Sequence, residues 1–424
     1  MSATIFALSS GAPPAAIGII RISGPHAGDA LSTLVGKVAS ARKATLRTLR
    51  ARDGSILDTA LVIWFPGPRT ATGENLAEIH CHGGRAVVRA IENALAELSN
   101  LRRAEPGEFT RRAFANGVID LAEAEGLADL LSSETELQRL AAQASAGGGF
   151  SRQVEEWRGE LLKISAEVEA ALDFADEGDV EEHNNGFPSR MAELADVWRV
   201  VLDQPRAERL RNGVRVILAG PPNSGKSSLF NALLGEGAAI VTPIAGTTRD
   251  VIERSISING VPLVLVDTAG LRETGQDEVE AIGIDRARQA LTEADIVLWL
   301  GAVGEGPEGA WEISARCDLP DERKRRYDFM VSSVTGEGLS ELAEALTSSA
   351  RDILPKPGTI ALNQRQAGLL SEAQDQISGA SRASDLLVLA ERLRLARVAL
   401  DRLLGRDSTE EMLDLLFGRF CIGK

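Results

Sequence analysis

Residues Gly220 to Ser228 read GPPNSGKSS, and an apolar run, Val214–Ala219 (VRVILA), precedes them. The pattern G-x-x-x-x-G-K-S, set between a strand and a helix beginning near Lys226, suits a loop that turns its backbone N–H groups onto phosphate oxygens. Glycine is needed where a side chain would block that backbone path, and Gly220 and Gly225 take the role. Lys226 is expected to act as a point charge on the β- and γ-phosphates, and Ser227 to offer its hydroxyl to a hydrated Mg²⁺. Asn223, Ser224 and Ser228 complete the candidate nucleotide-binding loop. Two further motifs follow in order. Gly246-Thr247-Thr248-Arg249-Asp250 has the length of a switch loop, with Thr248 the candidate second protein ligand of Mg²⁺. Asp267-Thr268-Ala269-Gly270 closes the strand VPLVLV, where a carboxylate can accept from Mg²⁺-bound water and a glycine N–H can approach the γ-phosphate. This order of motifs is that of a GTPase. Leu271 stands where Ras-like GTPases carry a water-orienting glutamine, and a leucine cannot do that work. Asp277, Glu278 and Glu280 offer carboxylates in its place, and the pattern alone does not choose among them.

The elements that must position these groups follow from periodicity. Between 213 and 355, strands are predicted at Val214–Ala219, Ser255–Ile258, Val261–Val266, Asp295–Leu300 and Phe329–Val331, alternating with helices. That alternation calls for a mainly parallel sheet with helices on both faces. From 1 to 118 the texture is α+β, with strands at Ile17–Ile22, Leu57–Phe65 and Ala77–His82 and helices near His26–Val35 and Arg85–Leu98. On the last strand His80 and His82 share a face while Cys81 points away, and no second ligand pair is nearby, which argues against zinc. Beyond Asp120, long runs with apolar residues three and four apart read as helices, from Leu121 to Gln143, from Ser151 to Phe174 and from about Ser189 to Arg211. The acidic stretch 175–185 reads as a solvated loop. The same helical texture returns after Pro355-Lys356-Pro357-Gly358 and continues through Leu416. The expected architecture is multidomain α/β plus all-α: an N-terminal α+β domain (1–118), a discontinuous helical domain (119–212 and 356–424), and an inserted P-loop α/β domain (213–355).

The chain has 424 residues, 44% of them hydrophobic but only 4% aromatic, which favours helices over sandwiches. No apolar run approaches the ~18–20 residues of a membrane span, and the N-terminus lacks a signal-peptide pattern, so a cytoplasmic location with no membrane partner is expected. Three separated cysteines suit a reducing compartment. A net charge of −15 argues against a general nucleic-acid coat. Residues 1–119 nevertheless hold 14 Lys and Arg against 9 Asp and Glu, a modest excess that either meets an RNA or is a solvated surface with no partner.

TPIAGTTRD, DTAGLRE, the terminal FCIGK, EPGEFTRRAF (Glu105–Phe114), IDLAEAEGLADL and TGENLAEIHCHGG together resemble the tRNA modification GTPase family called MnmE or TrmE, along essentially the whole chain. The resemblance implies an N-terminal folate-binding domain that also forms a homodimer, a split helical domain, and a Ras-like G domain that takes GTP and GDP with Mg²⁺ and K⁺. It implies an FAD-dependent partner, MnmG, in a heterotetramer. The implied substrate is tRNA, modified at C5 of the wobble uridine (U34) to a (carboxymethyl)aminomethyluridine with a one-carbon unit from 5-formyltetrahydrofolate or a related folate. Asn223 matches the family's potassium ligand, with Thr242, Ile244 and Thr247 completing that site. Glu280 matches the acid that positions water, so that the resemblance makes Glu280, Lys226 and Cys421 the catalytic set. Arg21, Glu78 and Lys424 match folate contacts. The alternative for Cys421 is an ordinary buried thiol in a C-terminal helix.

Two departures stand out. The guanine-recognition motif Asn-Lys-x-Asp is represented by Ala315-Arg316-Cys317-Asp318, followed by Ser332-Ser333-Val334 where the family has Ser-Ala-Lys/Arg. Asp318 can still take the guanine N1 and N2 hydrogens, while the Asn contact is gone. Val118 stands where the family often has a lysine beside the folate. A regulatory GTPase switch or scaffold that recruits RNA or ribosomal partners, with weak guanine selectivity, is the competing expectation.

Overall fold

The computed structural model describes residues 3–37, 40–173, 186–236, 252–268, 291–319, 324–356, 358–381 and 385–424. Among these the chain divides into two compact units, one drawn from 1–128, 151–155 and 401–424 and the other from 129–150 and 156–400.

The first unit is built on strands β1 (Thr4–Leu8), β2 (Ile17–Ser23), β3 (Thr45–Arg50), β4 (Ile56–Phe65), β5 (Leu76–His82) and β6 (Leu101–Arg103), in the order β3-β4-β5-β2-β1-β6. All neighbours are antiparallel except the β1–β6 pair. Period-2 alternation decides the faces. Phe6, Ile20, Ile22, Val62, Ala77 and Ile79 are buried in one core cluster, which the buried faces of helices Ala27–Val35 and Arg85–Ala96 complete. Their strand neighbours Arg21 and Glu78, opposite each other in the register, project from the other face. There Ile5 and Ala7 pack with Ala104 and with Phe109 of the helix Glu108–Ala115. A further cluster joins Phe114 and Leu121 to Leu413, Phe417 and Phe420, bringing the C-terminal helix Glu410–Phe417 into this unit.

In the second unit, strands β7 (Val214–Ala219), β8 (Ile252–Ile258), β9 (Val261–Asp267), β10 (Ile296–Trp299), β11 (Trp311–Ala315) and β12 (Phe329–Val331) form a sheet in the order β12-β11-β10-β7-β9-β8. Every pairing is parallel except the β8–β9 hairpin. Every residue of β9 is buried, as a strand covered on both faces requires. Leu229 and Leu233 of helix Lys226–Glu236 and Leu342 and Leu346 of helix Leu339–Ile353 share the main core with β7 and β9, while Ile217, Val264 and Val266 pack with Leu291 and Ala294 in a separate cluster. The expected parallel α/β sheet is therefore present.

The helical segments are more broken than periodicity implies. The run expected from Leu121 to Gln143 divides into Leu121–Ser132 and Glu136–Ala146, because Thr135 and Gln138 form a capping box that starts a new helix. The run expected from Ser189 to Arg211 divides into Phe187–Leu202 and Ala207–Asn212 around Pro205, which cannot supply an interior N–H. Helix Gly149–Asp173 is continuous; its Trp157 meets Trp198 edge-on with ring centroids 5.9 Å apart. Helices Gln364–Ala380 and Leu386–Leu403 follow the inserted sheet. No described helix is long and apolar enough to cross a membrane.

Candidate active site

The phosphate loop runs from the C-terminal end of β7 into the helix that Lys226 begins. Two loop glycines have dihedrals that side chains rarely adopt, φ 148° at Gly220 and 97° at Gly225, and Asn223 sits at φ 61°. A Cβ on Gly220 would lie 3.1 Å from the Gly301 nitrogen, and one on Gly225 would reach the Ala315 side chain at 3.5 Å. The close approach at Gly220 is thus set by the end of β10, while the end of β11 lies in ordinary contact with Gly225. Lys226 is only 6% exposed, and its ammonium donates to the carbonyls of Gly220 (3.1 Å) and Pro221 (2.8 Å), inside the loop's curve. Among the described residues Ser224 Oγ is buried without a hydrogen-bond partner, an orphaned hydroxyl of the kind a phosphate oxygen satisfies. The residues present fit a nucleoside triphosphate.

At the end of β9 the buried Asp267 accepts from Ser227 Oγ through Oδ2 at 2.7 Å. A hydroxyl and a carboxylate so joined are the oxygen pair that a hydrated Mg²⁺ takes, one directly and one through water. Thr268 is buried and donates its hydroxyl to the Leu218 carbonyl at 2.8 Å, which ties the end of β9 to β7. Thr242, Ile244, Thr247, Thr248, Ala269, Gly270 and Glu280 lie outside the described residues, as do Leu271, Asp277, Glu278 and the acidic stretch 175–185.

The candidate base pocket lies at the C-terminal end of β11. Arg316 takes a left-handed backbone, φ 60°. The positions it and Ala315 occupy border Gly225. Asp318 accepts the Ser332 hydroxyl through Oδ1 at 2.6 Å, and the same Ser332 oxygen accepts the N–H groups of Val334 and Thr335, each at 3.2 Å. Asp318 and Ser332, predicted separately, are brought together, with Ser333 next in the chain. Cys317 is wholly buried and its thiol faces Glu337 at 3.6 Å, so it holds the turn from beneath.

In the first unit two of the folate candidates, Arg21 and Glu78, are joined, and the third, Lys424, is tied by its backbone to a neighbouring helix. Arg21 donates twice to Glu78 Oε1, at 2.8 and 3.2 Å, and His80 Nε2 lies 3.1 Å from Glu78 Oε2. Burial works against the Glu78 charge, but the hydrogen bonds from Arg21 and then His80 outweigh it and hold the carboxyl below its ordinary range. The Arg21 guanidinium stands 5.9 Å from the Phe109 ring centre, and the Phe109 N–H donates to the Lys424 carbonyl at 3.2 Å. Phe109 is the link between Arg21 and Lys424 that sequence reasoning missed; it lay in the quoted stretch EPGEFTRRAF without a role. His80 was also missed as a partner of Glu78, although a histidine two places along a strand shares its face. A planar donor fork, a carboxylate and an aromatic ring together suit a flat, hydrogen-bonding heterocycle such as a pterin. Val118 is 42% exposed and lines, with Phe114, Ile119 and Arg406, an open cleft of about 370 Å³. Cys421 is exposed and lies beyond the end of the last helix, so the alternative of a buried helical thiol does not hold. Cys81 is buried against the Gly18 carbonyl, and His82 is held by Asp58 at 2.8 Å.

A glycine-framed phosphate loop at the C-terminal edge of a largely parallel sheet, with Ser227 joined to the Asp267 that ends the neighbouring strand, defines a P-loop GTPase domain. The surrounding sequence narrows the class. Residues 4–118 match the family model for the GTP-binding protein TrmE N-terminus, and residues 121–421 match that for the MnmE helical domain. A tRNA modification GTPase MnmE from Erythrobacter litoralis is 61% identical over 99% of this chain and 100% of its own length. Proteins of the same description from Novosphingobium aromaticivorans and Rhizorhabdus wittichii are 57% and 53% identical, each across 100% of this chain and across 100% and 97% of their own lengths. The chain belongs to the tRNA modification GTPase MnmE family, and its enzymatic class is that of a GTP hydrolase.

Proposed function

We propose that the chain is the GTP-hydrolysing, potassium-activated subunit of an enzyme that modifies C5 of the tRNA wobble uridine (U34). In this reading it works in the cytoplasm as a homodimer with the FAD-dependent MnmG, in a heterotetramer. It takes a one-carbon unit from a 5-formyltetrahydrofolate-like folate toward (carboxymethyl)aminomethyluridine. The domains divide at 118, 212 and 355, with the G domain inserted in the helical one. The observation that carries the hydrolytic part is the Ser227–Asp267 hydrogen bond beneath the phosphate loop.

The residues divide the work as follows. The loop N–H groups from Asn223 to Ser228 hold the phosphate oxygens, and Lys226 turns from the Gly220 and Pro221 carbonyls toward the β- and γ-phosphates. Ser227 and Thr248 ligate Mg²⁺, with Asp267 orienting its water; Asn223, Thr242, Ile244 and Thr247 hold K⁺. Bound there, the cations would offset the negative charge on the transferring phosphoryl group. Glu280 positions the attacking water, and the Gly270 N–H, next to Ala269, approaches the γ-phosphate. Asp318, held by Ser332, reads the guanine donor edge beside Ser333. Arg21, Glu78 and Lys424 hold the folate, and Cys421 serves the modification step.

The test is the steady-state GTP hydrolysis rate of the full chain in KCl and in NaCl at equal ionic strength. A large K⁺ advantage, lost in Asn223→Ala, is the expected result. Equal and negligible rates in both salts would overturn the hydrolytic reading and favour a nucleotide-binding scaffold.

A further inference from the structure

Residues 37 to 52 contain six cations, Lys37, Arg42, Lys43, Arg47, Arg50 and Arg52, and no Asp or Glu, in a chain of formal net charge −15. The fold gathers five of them on and around β3, which forms one edge of the first unit's sheet and pairs only with β4. All six are exposed apart from the half-buried Arg47. None makes an ion pair with a described carboxylate. Their guanidinium donors go to backbone oxygens instead: Arg42 to the Arg69 carbonyl, Arg47 to that of Leu46 at 3.2 Å, and Arg50 to that of Gly54 at 3.0 Å. Each such bond uses one of five N–H donors and none of the charge.

Elsewhere in the unit the cations are scattered, some on backbone oxygens like Arg85 on the Pro13 carbonyl and others paired with acids. Arg102 is paired with Glu108, Arg111 with Glu410 and Asp414, and Arg112 with Glu74 and Glu108. The acids nearest the edge have hydrogen-bond partners of their own, although Asp53, next to Arg52, keeps its charge. Asp53 accepts from Ser55, and Asp58 from His82, while Asp29 and Glu97 line a shallow hollow of about 210 Å³ with Arg52 alone of the six. An edge strand needs a cation to discourage pairing with another sheet, and Arg47 or Arg50 would serve. Arg42, Lys43 and Arg52 lie beyond the strand at both ends, where that purpose does not require them. At ~3.4 Å per residue the six residues of β3 span about 20 Å; Arg47 shares the face of the buried Leu49, Arg50 follows a bulge, and Arg42 and Arg52 stand in the turns at the two ends. The run 37–52 has no aromatic side chain, and the neighbouring Phe65 ring lies under the Arg42 guanidinium, 5.8 Å from its centre.

We infer that the β3 edge docks the sugar–phosphate backbone of the RNA substrate, contributing position and affinity but not base recognition. The inference rests on the tRNA reading above and assigns that partner a surface. Phosphate contact by unpaired cations releases counterions, so its signature is a salt slope.

The experiment is fluorescence anisotropy of a labelled tRNA transcript with the full chain, without nucleotide, across a series of KCl concentrations. The triple variant R47Q/R50Q/R52Q is expected to bind about tenfold or more weakly and to lower the slope of log K against log salt by about 2 to 3. R47K/R50K/R52K should keep the wild-type slope. R139Q/R199Q/R394Q removes the same charge from arginines paired with Glu136, Asp196 and Glu391, and should leave the slope unchanged. Wild-type affinity and slope in the Gln triple would overturn the inference while leaving the tRNA reading intact. Self-association of that triple with unchanged RNA affinity would reduce these cations to a guard against edge pairing. Failure of the wild type to bind RNA at low salt would overturn both.

Discussion

Phe109 donates its backbone N–H to the carbonyl of Lys424 at 3.2 Å, so the helix that places an aromatic ring beside Arg21 also fixes the C-terminal tail. Two glycines make this approach possible. Gly107 (φ 68°) has the Phe417 carbonyl where a Cβ would stand, and Gly423 (φ 96°) has that of Leu8. Gly423→Ala therefore has to displace the tail. The expected cost is about 1–3 kcal/mol, read as a lower midpoint in urea unfolding. Folate affinity, measured by calorimetry, should fall with it. Full retention of both would mean that the tail is not seated as described.

The Ser227–Asp267 bond links the start of the P-loop helix to the end of β9. Asp267 is buried, and its carboxylate aligns the Ser227 hydroxyl instead of facing solvent. Removing such an outer partner typically weakens metal affinity about 10–100-fold. Asp267→Asn should raise by that factor the Mg²⁺ concentration that half-saturates GTP hydrolysis. Binding of a fluorescent GDP in excess Mg²⁺ should change much less. An unaltered Mg²⁺ requirement would remove Asp267 from the metal site.

Much of this site was legible because its signals are local. Gly220 to Ser228 announces a loop by spacing alone, and VPLVLV announces a covered strand by its unbroken apolar run. Where the sequence misled, the cause is a competing local rule. β3 (TLRTLR) was missed because arginines on an exposed edge mask its period. β11 (WEISA) was missed because it is short and carries a glutamate that pairs with Lys324 at 2.7 Å. The helix break at Thr135 was legible as a T-x-x-Q capping box but hidden within a longer periodic pattern. The Phe109–Arg21 proximity had no sequence signal, since only the fold brings positions 88 residues apart together.

The lowered Glu78 and Glu108 carboxyls give a pH dependence whose sign follows directly. Burial opposes the charge of each, but Arg21 and His80 for Glu78, and Arg102, the Glu105 N–H and Arg112 for Glu108, prevail. A carboxyl held below its unfolded value, about 4.3 for glutamate, stabilises the fold above that pH. The contribution is lost as pH falls through the lower, folded value. Urea midpoints of the full chain should decline on acidification below about pH 4.3. Glu78→Gln should be less stable at neutral pH and show a shallower decline. Parallel curves for the two proteins would exclude Glu78 as a contributor.

Ala315 brings only a methyl group to the rim beside Gly225, whereas Asp318 is held in place by Ser332 at 2.6 Å. Guanine presents donors to a carboxylate and acceptors, O6 and N7, on its other edge. Asp318 can satisfy the first, and a methyl group leaves the second unanswered. Adenine lacks the paired donors, so discrimination between the purines rests on Asp318 and survives the loss at 315. Ala315→Asn should then strengthen binding of both GTP and GDP by about 2- to 10-fold, the equivalent of one net hydrogen bond of roughly 0.5–1.5 kcal/mol. Preference over ATP should stay the same. Competition titrations with a fluorescent GDP measure both quantities. A gain for GDP that disappears with 7-deaza-GDP would place the new amide on N7, and no gain for either would show that the rim at 315 does not reach the base.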